Sequence, residues 1–234
     1  MTKKIKVLAA GACRNAVVSI TEAFSKSSGI GIDIDFATAP VTREKIGRGD
    51  GKFDALITAE SITEEYLKSG IINADPIIPL GAIASCVVVR GGVPHPDIST
   101  VETFCDALGT ASAVIFNVAS SGIYIESLIE KLGLKEEIAD RAERAPTGSA
   151  VMERIASGAG DKEIGFGQMT EILRVKATGM NIDLVGPLPS EIANMTTFIA
   201  STLATTQLPD EASKLVEFIA TSEAKKLIHE AGLS

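Results

Sequence analysis

The 234-residue sequence has no tryptophan and only 4% aromatic residues. Proteins that stack nucleobases depend on aromatic side chains. Those that grip a phosphate backbone depend on Lys and Arg, whereas this chain carries a formal net charge of −8. No nucleic-acid partner is expected. The cysteines, Cys13, Cys86 and Cys105, are odd in number and lack a CxxC spacing, which argues against a disulfide framework or a zinc site. Only two histidines occur, His95 in a Pro-rich turn and His229 in the last predicted helix. Neither lies near a predicted strand end, and no P-loop, HExxH or Ser/His/Asp order is present. Neither a metal nor a cofactor is expected. No apolar run is long enough to span a membrane, so no direct membrane insertion is expected. Met1 to Lys6 runs into a strand without an apolar signal region. As written, the chain reads as cytoplasmic; a removed signal peptide would make it periplasmic or extracellular.

Strand and helix periods alternate through most of the chain. Residues 5–10 read as a buried strand, 32–37 as an alternating strand and 53–57 as a third strand, with helices after the first two. Alternation at this pitch implies parallel strands with right-handed crossovers. A long apolar strand at 83–90 and a Gly/Pro-rich turn at 91–96 separate this series from a second one. The second series has a helix near 101–108, a strand at Val114, and helices near 125–132 and 150–157. It ends with a strand at 163–167, a helix at 168–175 and a strand at 182–185. Residues 196–203 read as a returning strand before two final helices. The expected class is α/β: two lobes of doubly wound mixed β-sheet with helices on both faces, joined by two crossing strands. Lobe I is expected at 1–84 and 195–234 and lobe II at 85–194, with the ligand cleft between them.

One stretch organises the second series. The β-branched run Ala113 to Phe116 enters it and an amphipathic helix leaves it, with Ser120, Ser121 and Gly122 between. A helix start offers unpaired N–H groups and the positive end of the dipole, which suits an anion. The alternative is that Ser120 or Ser121 caps the helix. Ligands of open α/β sheets sit outside the carboxyl ends of the strands.

Several segments resemble the molybdate-binding-like branch of the bacterial type II solute-binding proteins (extracellular solute-binding family 11). They are Lys6 to Ala12, Phe53 to Ala59, Ile129 to Leu134, Glu163 to Gln168 and Leu215 to Ala224. The resemblance implies the periplasmic-binding-protein type II fold and a small anion in the cleft. An ABC transporter membrane component is the partner it implies. Its anion loops fall at Gly11-Ala12, at Thr38 to Thr42 and at Ala119 to Gly122, and its tyrosine donor falls at Gln168. The first two loops lack the family's hydroxyls, Pro40 removes an N–H, and Arg14 stands in the first loop. A carboxylate paired with a guanidinium is the replacement this suggests. Val185 to Pro189 and Asn194 to Thr197 resemble a broader branch that includes the aconitate isomerases, which are enzymes.

The expected ligand-binding set is Gly11, Ala12, Arg14, Thr38, Thr42, Arg43, Ser120, Ser121, Gly122 and Gln168. Tyr124 is a further candidate hydroxyl. Arg14 and Arg43 are read as ligand clamps or as solvated arginines, and Gln168 as a ligand donor in preference to a helix cap. Cys13 reads as a buried filler in preference to a reactive thiol. Two functions follow: a solute-binding protein for a small anion (carboxylate or oxyanion), or a cofactor-free isomerase of a small polycarboxylate. For the second, Glu60, Glu171 and Tyr124 are the candidate bases; no catalytic residue is assigned.

Overall fold

The structure, a computed structural model, describes residues 4–49, 52–118 and 120–234, with only the backbone described at Ser120. In chain order the first elements are β1 (Ile5–Ala10), α1 (Arg14–Ser28), β2 (Ile32–Ala37), α2 (Ala39–Arg48), β3 (Ala55–Ala59), α3 (Glu60–Lys68) and β4 (Ile72–Arg90). Next come α4 (Val101–Thr110), β5 (Ala113–Asn117), α5 (Ser120–Lys131), β6 (Ala142–Ala145), α6 (Gly148–Ser157), β7 (Glu163–Gln168) and α7 (Met169–Lys176). The last are β8 (Ile182–Pro187), β9 (Met195–Leu203), α8 (Pro209–Phe218) and α9 (Ser222–Glu230). The chain forms two compact units: Met1–Ile83 with Thr196–Ser234, and Ala84–Met195. It passes from one to the other within β4 and back within β9.

In the first unit β1 lies between β2 and β3, all parallel, and β9 pairs antiparallel with β3. The chain leaves β1 through α1 to reach β2 on one side, then returns through α2 to β3 on the other. The connections therefore diverge at the carboxyl end of β1, the kind of switch point where α/β proteins place ligands. Ala16, Val17, Ile20 and Phe24 of α1 are buried at helical spacing, and Phe24 meets Phe218 of α8 edge-on at 5.6 Å. Ile62 and Tyr66 of α3 pack with Leu8 and Leu56.

The second unit repeats this logic. β5 lies between β6 and β7, all parallel, with β4 antiparallel to β7 and β8 antiparallel to β4. The divergence falls at the carboxyl end of β5. Side chains alternate across the strands. Val114 and Phe116 join the cluster with Phe104, Leu108, Ile125 and Leu128 of α4 and α5. Ala113 and Ile115 join the one with Val151, Met152, Ile155 and Ile172 of α6 and α7.

Three elements depart from the sequence expectation. β4 starts at Ile72 and not at 83, with Pro76, Pro79 and Gly81, residues that ordinarily interrupt a strand, in its extended chain. Strand β6, Ala-Glu-Arg-Ala, has no apolar run because its middle residues Glu143 and Arg144 are charged; it pairs only with β5 among the described strands. Helix α3 directly follows β3, where the expectation stopped at Glu60.

Candidate functional site

At the first unit's switch point, Gly11–Cys13 form one 3₁₀ turn and α1 begins at Arg14. Cys13 is fully buried, and burial pushes its thiol far above the ordinary range. It is a packing residue and not a reactive thiolate. Arg14 is exposed, and its guanidinium carbon stands 3.9 Å from the ring centroid of Phe36. Phe36 is brought there by the β1–β2 ladder, in which it pairs with Ala9. The expected loop at 38–42 is the first turn of α2, with Thr38 as its N-cap residue. Pro40 falls in that turn, where an N–H has no intrahelical partner to lose. Thr38 is exposed, whereas Thr42 is 2% exposed, with its N–H bonded to the Thr38 carbonyl at 2.8 Å.

Arg43 has a partner within the protein. It is paired with Glu65 of α3 at 2.9 Å. With Lys45, Phe53, Tyr66 and Leu203 it lines a cavity of about 730 Å³. Phe53 precedes β3 and Leu203 ends the antiparallel β9, so this cavity lies toward the amino end of β3, away from the switch point.

In the second unit α5 starts where β5 ends. The Gly122 N–H donates to Asn117 Oδ1 at 3.3 Å, and Asn117 Nδ2 donates to Ser121 Oγ at 3.1 Å. Asn117, Ser121, Gly122 and Ser85 line one crevice with Ile125, Phe166 and Gly167, too narrow to take a water molecule. Ala119 and the Ser120 side chain lie outside the described residues. Gln168 ends β7 opposite Ser85 of β4. It precedes α7 without a side-chain capping bond, so it is not the helix cap that the sequence also allowed. The Tyr124 hydroxyl donates to the Ile192 carbonyl at 3.0 Å.

Glu171, in the first turn of α7, accepts from Ser149 Oγ at 3.2 Å. A Cβ on Gly148 would fall 2.0 Å from its Oε2. A carboxylate of the protein itself thus rests against the start of α6, where the dipole favours it. Glu60, by contrast, is exposed at the first position of α3.

Among the helices whose N-caps are described, five begin without a side-chain cap, α8 at Leu208 included, and three begin with one. Helices α1, α2, α3 and α7 each follow a strand and begin without a side-chain cap. Helices α4, α6 and α9 are capped by Thr100, Thr147 and Thr221. The four uncapped starts that follow strands keep N–H donors available at the strand ends. The sequence reading did not single out Phe36 or Asn117 as site residues. A bulky ring one residue before the end of a strand, and a buried amide at the end of another, were the available signals.

A family model described as bacterial extracellular solute-binding protein matches residues 5–234. An aconitate isomerase from Pseudomonas sp is 26% identical over 98% of this chain and 87% of its own length. A solved substrate-binding domain from Clostridium difficile superposes with a TM-score of 0.80 at 18% identity, covering 98% of this chain and 97% of that one. The periplasmic molybdate-binding protein of Azotobacter vinelandii gives 0.72 at 16% identity, covering 99% of each chain. The fold is that of the type II periplasmic binding proteins.

Proposed function

The chain belongs to the family of bacterial extracellular solute-binding proteins, and from that premise we propose that it binds a small anion, a carboxylate or an oxyanion, at its strand-carboxyl switch points. The observation that carries this reading is the set of helices that start after the carboxyl ends of β1, β2, β3 and β7 with no side-chain cap. Backbone N–H groups and the helix dipole hold an anion locally, so the overall charge of −8 does not oppose binding. Gln168 supplies a further amide at one such start, and Ser121 with Gly122 forms the start of α5. In this reading the protein acts outside the cytoplasm and hands its ligand to the membrane component of an ABC transporter.

A thermal-shift panel of molybdate, tungstate, sulfate, phosphate, citrate and the two aconitates tests it. A ligand at about one hundred times its Kd adds about 2.7 kcal/mol of stability. Stabilisation by at least one of these anions is expected; no stabilisation across the panel overturns the reading.

A second reading, a cofactor-free isomerase, is favoured by the aconitate isomerase relative and by Glu171. The Glu171 carboxylate would take a proton from a methylene next to a substrate carboxylate. The freed electron pair forms the new double bond as the old one shifts, and the proton returns to the former alkene carbon. Incubation with trans-aconitate in D₂O tests it by NMR. Deuterium entry and the cis isomer support the enzyme, and an unchanged ligand overturns it.

A further inference from the structure

Seven of the eight arginines of the sequence lie within 3.9 Å of a carboxylate oxygen. Arg14 alone has no such partner among the described residues. It is also the arginine placed at the first unit's switch point, and it is not left to wander. Its guanidinium lies over the Phe36 ring at 3.9 Å.

We propose that Arg14 is the residue that makes this site selective for carboxylates, and that Phe36 is its positioning residue. The proposal rests on the anion-binding reading above and names the ligand class within it. Stacking covers one face of the guanidinium and leaves its N–H donors along the edges, in a single plane. Two parallel N–H groups in a plane match the two oxygens of a carboxylate. A tetrahedral oxyanion shares the oxygen pair but needs donors from several directions. The adjoining turn does not supply hydroxyls, because it consists of Gly11, Ala12 and the buried Cys13. At the exit of β1 Arg14 therefore supplies the donors that the side chains of this turn do not. Phe36 is half-buried in β2, so its ring is a fixed platform and not a loop side chain.

The test is titration calorimetry of the full chain with citrate, trans-aconitate and succinate against molybdate and sulfate. It compares the wild type with R14Q, R14K, F36L and the R14Q/F36L double variant, and thermal unfolding checks that each is folded. Wild-type protein is expected to prefer a carboxylate. R14Q should weaken that carboxylate by about 30-fold or more, the loss expected when one member of a hydrogen-bonded charge pair is removed. R14K keeps the charge without the fork and should lose about tenfold. F36L should lose about three- to tenfold. In the double variant F36L should add nothing to R14Q, a coupling that a merely structural role for Phe36 would not produce. A carboxylate affinity unchanged in R14Q, or oxyanions preferred by the wild type, overturns the proposal while leaving the anion-binding reading intact. Failure of the wild type to bind any of the five, or any anion of the thermal-shift panel, overturns both.

Discussion

A Cβ built on Gly122 would fall 1.6 Å from the backbone carbonyl oxygen of Asn117. The first turn of α5 therefore folds back onto the end of β5 as closely as a backbone allows, and only glycine fits. Gly122→Ala must push the helix start away from the strand, a strain on the order of 1–3 kcal/mol. It should also break the Gly122 N–H bond to Asn117 and weaken anion binding. Gly148→Ala is the contrast, since its new methyl meets the end of the flexible Glu171 side chain. Urea denaturation should show the larger loss for Gly122→Ala.

A second prediction concerns the far end of the same sheet. Arg154 binds Glu143 through two hydrogen bonds of 2.8 Å and Glu163 through one of 3.1 Å. The Glu163 side chain is only 9% exposed, and its Oε2 has no partner among the described residues. Arg154→Met strands this carboxylate. The arginine is one-third exposed, so the expected cost is about 2–4 kcal/mol, below that of a fully buried pair. Replacing Glu163 by Gln in the same protein should recover part of the loss. Equal stabilities for the single and double variants would show that the stranded charge is not the cause.

A third prediction sets a pH dependence. Asp183 accepts from Lys176 at 2.6 Å and from the Gly92 N–H at 3.0 Å, and these bonds hold its carboxyl below the ordinary aspartate range. A depressed carboxyl contributes stability that is full above its unfolded value, about 3.9, and that fades as the pH falls through the folded value. Asp183→Asn should therefore be less stable than wild type at pH 7, and the gap should close in acid. Urea midpoints at pH 7 and below pH 3 measure it.

Much of this was legible in the sequence, and the exceptions have physical causes. The strand–helix order of both series follows from the alternation of periods, and the Ser121-Gly122 start of α5 from a hydroxyl and a glycine placed between a buried strand and an amphipathic helix. Arg14 and Phe36 meet because the β1–β2 register sets Ala9 beside Phe36, a long-range fact that spacing along the chain does not carry. The partner of Arg43 is another such long-range fact. Arg43 sits near a helix start, and Glu65 of α3 pairs with it. Strand β6 was missed because it carries charge where a buried strand would carry apolar side chains.

The most direct test of the central claim is an amide ¹H–¹⁵N NMR titration of the full chain with citrate and, separately, molybdate. The account predicts saturable shifts at the strand-carboxyl ends: residues 11–15, 38, 39, 118, 120–123 and 168–171. Shifts confined to the cavity around Arg43, Lys45 and Tyr66, or no saturable shift with either anion, would contradict it.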